Sequence, residues 1–166
     1  MTTKTEEGLE SAQQQAQAQL DSIRELMERV QHIDGCPGGE DCTARDADIL
    51  SGLNLWREGL GVTEDEREQY HDEDEARQRI DESPLSVEVR SDWHSPGDES
   101  EDAEFRILIC TGGPAVQIVG SIGEFGEPDG VRLQYQDWFT PWANAEITAD
   151  DEETLLSYAR AFYYGT

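Results

Sequence analysis

The stretch FRILICTGGPAVQIVGSI, residues 105–122, decides how the rest of the chain reads. Ile107, Leu108 and Ile109 form an apolar run that ends at Cys110. Residues 115–122 return as a second run rich in Val and Ile. Both have strand length and β-branched composition. Thr111, Gly112, Gly113 and Pro114 between them read as a hairpin turn, where glycine supplies the positive φ of a tight reversal. Working outward, residues 85–90 alternate apolar and polar and predict a strand before the hairpin. Residues 131–137 predict a strand after it, beyond a Gly-rich acidic turn at 123–130. Trp138, Pro141 and Trp142 then make an aromatic corner, joined by Tyr135 and Phe139. A last helix follows, capped by Asp150 or Asp151, with Leu155, Leu156, Ala159 and Phe162 inward. Strands in meander flanked by helices imply an α+β fold: an N-terminal helical segment, then a four-stranded antiparallel sheet with a C-terminal helix on one face. Residues 1–82 read as an acidic helical region and residues 83–166 as the α+β domain.

The helical region has its own punctuation. Residues 5–31 form a helix in which Leu9, Ala16, Leu20, Ile23, Met27 and Val30 fall on a/d-type spacing, interrupted by Gln13. That seam serves either a homodimer or packing against the rest of the chain. Gly and Pro residues make 34–42 a turn-rich loop. Residues 44–55 predict a short helix with Ile49, Leu50, Leu53 and Trp56 on its apolar face. Thr63 with Glu66 three residues on is a capping box. The helix it starts is expected to break near His71, resume toward Ile80, and stop at Ser83-Pro84.

Charge sets limits on function. The chain has 166 residues, with 38 acidic against 12 basic, a formal net charge of -26. Lys4 is the only lysine. Direct nucleic-acid binding and docking on anionic membranes both need clustered Lys and Arg, so both are disfavoured. No secretion signal or spanning segment is read, so a cytoplasmic setting with reduced cysteines is expected. The acidity itself has two readings, a negative surface built for a partner or adaptation to salt and genome composition.

The acids concentrate in two tracts. Glu64, Asp65, Glu68, Asp72, Glu73, Asp74 and Glu75 load the helix after Thr63, with Glu64, Glu68 and Asp72 on one i,i+4 row. Asp98, Glu99, Glu101 and Asp102 lie in a polar loop over 92–104. A helix rises ~1.5 Å per residue and duplex DNA carries one charge per ~1.7 Å, so a carboxylate-rich helix can match phosphate charge density. The expected partner is a basic, nucleic-acid-binding host protein.

Two further sets carry chemistry. His32, Cys36 and Cys42 have metal-ligand character, but their x3 and x5 spacings depart from paired zinc motifs. A fourth ligand would have to be Asp34, Asp41 or a residue of another chain, and two free thiols are the simpler reading. Cys110 beside Gly112 and Gly113 suggests a thiol nucleophile, yet His94 is the one histidine in that half, and a cysteine ending an apolar strand is commonly inert. No catalytic set and no cofactor are assigned.

The second half resembles a family of small proteins of phages, prophages and other mobile elements. The residues that carry the resemblance are SPLSVEVRS (83–91), CTGGPAVQIVG (110–120), LQYQDWFTPW (133–142) and the closing Phe162, Tyr163, Tyr164 and Gly165. It implies a mobile-element setting, in which acidic proteins disarm CRISPR complexes or restriction enzymes. The reading that follows is a non-enzymatic DNA mimic. Its rivals are a dimerising structural module and, behind it, a thiol enzyme using Cys110.

Overall fold

The computed structural model describes residues 3–36, 38, 42–57, 61–99, 101–138 and 140–165. In chain order these form α1 (Lys4–Gly35), α2 (Asp46–Gly52), α3 (Glu64–Tyr70), α4 (Glu73–Glu82), β1 (Ser86–Ser91), β2 (Asp102–Cys110), β3 (Ala115–Ile122), β4 (Pro128–Gln136), β5 (Ala143–Asn144) and α5 (Ala149–Ala159). The sheet is an antiparallel meander in the order β1-β2-β3-β4-β5. The α+β class is as expected, but the sheet has five strands rather than four. The missed strand is only two residues long, too short to show any alternation.

The central hairpin forms as its sequence demands. Phe105 pairs with Gly120, and Ile107 with Ile118. Period-two alternation puts Phe105, Ile107, Val116, Ile118, Val131 and Leu133 on the covered face. Gly112 takes φ 109°, the left-handed region for which glycine was expected. Gly120 is required for another reason: a Cβ there would overlap the Gly130 carbonyl and press on the Phe105 ring. Strand β2 begins at Asp102, not at Phe105. Asp102 pairs with Ser91, and Glu104 lies between Arg90 and Ser121, so polar residues extend the ladder.

Helices α1 and α5 cover one face of the sheet, with α4 alongside α1. Ala16, Leu20, Ile23 and Val30 of α1 share one core with Ala76 and Ile80 of α4, the sheet's inner face, and Leu155, Tyr158 and Ala159 of α5. Residues on both sides of position 82/83 thus build the same core. The seam that a coiled-coil dimer would use is covered by the protein's own sheet and α5. A second, smaller cluster holds Ile49, Leu53 and Tyr70, with Ala44, Leu55 and Val62 around it.

Three helices start with complete capping boxes: Thr3 with Glu6, Thr63 with Glu66, and Thr148 with Asp151. The last corrects the expectation that Asp150 or Asp151 caps α5. Asp151 is instead the third helical residue, returning a bond to the Thr148 backbone N–H. The break near His71 occurs as read: α3 ends at Tyr70, and Asp72 caps α4 by accepting from the Glu75 N–H. Among the described residues no helix is long and apolar enough to cross a membrane.

Candidate functional site

The C-terminus of α1, the chain after it and the α3–α4 junction converge on one point. His32 lies in the last turn of α1, and Cys36 follows four residues later at its C-cap, so the helix presents both on one side. Cys42 lies six residues after Cys36, and His71 occupies the C-cap of α3. The ligand atoms of His32, Cys36, Cys42 and His71 all lie within 4.8 Å of one another. Cys42 Sγ is 3.3 Å from His32 Nε2 and 3.3 Å from His71 Nε2. His71 Nδ1 is 2.7 Å from the Arg67 carbonyl, which orients the ring and leaves Nε2 facing the sulfur. The Ala44 N–H donates to Cys42 Sγ at 3.4 Å. Burial holds the His32 pKa below the usual histidine value, and neighbouring His71 pushes the same way, against the opposing charge of Asp48.

Three of these residues are the candidates with metal-ligand character in the sequence, where two free thiols are the simpler reading, and the fourth group beside them is neither Asp34 nor Asp41. Asp34 is exposed, 3.9 Å from Arg77, and Asp41 lies outside the described residues. His71 is 29 residues from Cys42, a separation at which no local spacing links the two. The available signal was a histidine at a helix C-cap, where its ring can turn back toward a preceding helix.

Beside this cluster lies a buried cation. Arg29 is 1% exposed. Its Nε donates to the Tyr70 carbonyl at 2.9 Å, and Nη2 donates to the Gln69 carbonyl at 2.7 Å and to Glu75 Oε2 at 2.7 Å. The guanidinium thereby satisfies the last carbonyls of α3 and sits 5.3 Å from the Tyr70 ring centre. Arg79 holds the other oxygen of Glu75 at 2.5 Å. Burial alone would raise the Glu75 pKa, but the bonds from Arg29 and Arg79 outweigh it and hold the carboxyl below its ordinary value.

The acidic tract is therefore not uniform. Glu75 is not a surface contact, because it is the internal partner of two arginines. Glu73 pairs with Arg77, and Asp72 is committed to capping α4. Asp72 also leaves the i,i+4 row, since α3 stops before it. Glu64, Asp65, Glu68 and Asp74 face outward. Part of the charge has a local explanation: Glu64, Asp65 and Glu66 open α3, and Glu73, Asp74 and Glu75 open α4. Carboxylates in a first turn are favoured by the helix dipole.

The second tract is shorter than read. Asp98, Glu99 and Glu101 are exposed in the β1–β2 connection, while Asp102 begins β2 and is half-buried. The strand register places this connection at the same end of the sheet as the β3–β4 turn. That end also carries Glu124, Glu127 and Asp129, together with two fully presented aromatics, Trp93 and Phe125.

Among the described residues, nine arginines are within ion-pair distance of a carboxylate. The positive charge is thus folded into local pairs, and the surface expresses the excess of acid.

The remaining candidates resolve separately. Cys110 is half-buried and burial pushes its thiol pKa up, the reverse of an activated nucleophile. His94 is exposed in the β1–β2 connection. Trp138 packs on Gly113, where no Cβ would fit, and Tyr135 joins the main core. Trp142 borders the open face of the sheet with Arg90, Arg106 and Arg132. Phe139 lies outside the described residues. Comparison of the chain with protein-family models, with curated proteins and with solved structures returns no match.

Proposed function

We propose that this protein is a non-enzymatic inhibitor that imitates the charge of a nucleic acid and occupies the nucleic-acid-binding surface of a host defence complex, either a CRISPR effector or a restriction enzyme. The supporting observation is the partition of charge: arginines paired off locally, carboxylates of Glu64, Asp65, Glu68 and Asp74 left outward on two consecutive short helices. Asp98, Glu99 and Glu101 add a second negative surface beside Trp93, an exposed aromatic of the kind that anchors interfaces. The host-defence setting rests on the mobile-element resemblance of the second half.

Such a surface would steer association with a basic groove and lose affinity steeply with salt. The test is target-DNA binding by a purified effector or restriction enzyme, measured with increasing amounts of this protein at about 0.05 M and about 0.3 M salt. Competitive loss of DNA binding at low salt, relieved at high salt, is the expected result. A triple variant, Glu64→Lys, Glu68→Lys and Asp74→Lys, should inhibit at least tenfold less, about 1.4 kcal/mol. Equal inhibition by that variant would sink the reading.

A further inference from the structure

We infer that His32, Cys36, Cys42 and His71 form a zinc site that ties the C-terminus of α1 to the α3–α4 junction. Zinc coordinates thiolate at ~2.3 Å and imidazole at ~2.0 Å, so the edges of its tetrahedron are about 3.3–3.8 Å. The two 3.3 Å separations from Cys42 match those edges, and the whole set spans no more than 4.8 Å. Two sulfurs and two imidazoles select a borderline-soft ion over calcium or magnesium.

The surroundings suit a metal rather than chance proximity. The Arg67 carbonyl receives His71 Nδ1–H, the outer contact that fixes a ligating histidine. The Ala44 N–H points at Cys42 Sγ and would stabilise a thiolate. Glu64 and Glu68 line the same recess as Cys42 and His71, and their charge favours a cation there. Four protein ligands complete the tetrahedron and leave no open position, so the site is structural rather than catalytic.

The fold also shows what the ion would supply. Among the described residues, the cluster around α2 and α3 holds three buried apolar side chains, Ile49, Leu53 and Tyr70. So small a core calls for a staple, and a metal is one of the common ones. Binding releases the two thiol protons.

The test uses the full chain, stripped of metal with chelator under reducing conditions and titrated with Co²⁺ and then Zn²⁺. Expected are thiolate-to-cobalt charge transfer, tetrahedral d–d absorption saturating at one equivalent, and displacement by one equivalent of Zn²⁺. Cys110→Ser should leave the spectrum unchanged. Cys42→Ser should weaken binding at least a hundredfold, and His71→Asn should lower affinity and alter the d–d bands. Zinc should slow backbone hydrogen exchange in α2 and α3 while leaving the β2–β3 amides unmoved. A wild-type spectrum without thiolate bands overturns the site, as does loss of the bands in Cys110→Ser. A His71→Asn protein with the wild-type spectrum and affinity overturns its fourth ligand.

Discussion

The two hydrophobic clusters are held together by different means. The larger runs through α1, α4, α5 and the sheet and joins their buried apolar side chains. The smaller, around α2 and α3, has three buried apolar residues among the described ones and has Arg29, Glu75 and the Cys/His cluster at its margin. Hydrophobic burial is non-directional and tolerates repacking, whereas removing a buried guanidinium with three specific acceptors leaves those acceptors unpaired. One helix, α1, serves both: its Leu20 enters the first cluster and its Arg29 organises the second.

Arg29→Ala should therefore have the largest effect, about 3–5 kcal/mol, because it leaves the Glu75 carboxylate with Arg79 alone and the last carbonyls of α3 without their guanidinium donor. Hydrogen exchange should show α2 and α3 opening before the sheet. A cost under about 1 kcal/mol, or simultaneous opening everywhere, would erase the distinction between the clusters.

Leu20→Ala comes next at roughly 3 kcal/mol, from lost burial and a residual cavity. Here every probe should move together, because the core that contains Leu20 joins the sheet to both long helices. Chemical denaturation followed by two probes, one in the sheet and one in α3, checks this. Non-coincident transitions would show that the sheet keeps its own cooperativity.

What the sequence made legible follows the same division. Around the large core, the apolar runs within 105–122 and the α1 stripe point to the buried residues, because apolar burial writes a pattern into the chain. The start of α3 was also legible, from the capping box of Thr63 and Glu66. Arg29 was not, since its partners are 40 or more residues away and an arginine on a helix ordinarily faces water. His71 stayed hidden for the same reason. Local periodicity reports which face is covered, but it carries no information on which polar groups meet across a junction.

Glu75→Gln isolates the electrostatic part of the smaller cluster. The folded pKa of Glu75 lies below its ordinary value of 4.5 because Arg29 and Arg79 outweigh the burial that would raise it. A depressed carboxyl contributes its full stability above the unfolded pKa and loses it as pH falls through the folded one. The variant should therefore be less stable than wild type by about 1–2 kcal/mol at neutral pH, with the gap closing as pH drops below 4.5. A gap independent of pH would mean that shape, not charge, holds this junction.

The smallest expected effect concerns the outward acids. Glu64 and Glu68 are like charges four residues apart on α3, a pairing that costs a few tenths of a kcal/mol. Glu68→Lys replaces that repulsion with an attraction in the favourable order, acid before base, and should raise stability by about 0.5 kcal/mol at low salt. Molar salt should remove most of the gain, since the Debye length shrinks to ~3 Å. The same change should weaken partner binding. A variant that gains stability while losing binding identifies α3 as a surface kept negative at a cost to its own folding. A variant that loses neither would return the acidity to salt adaptation, since Glu68 would then matter to no partner.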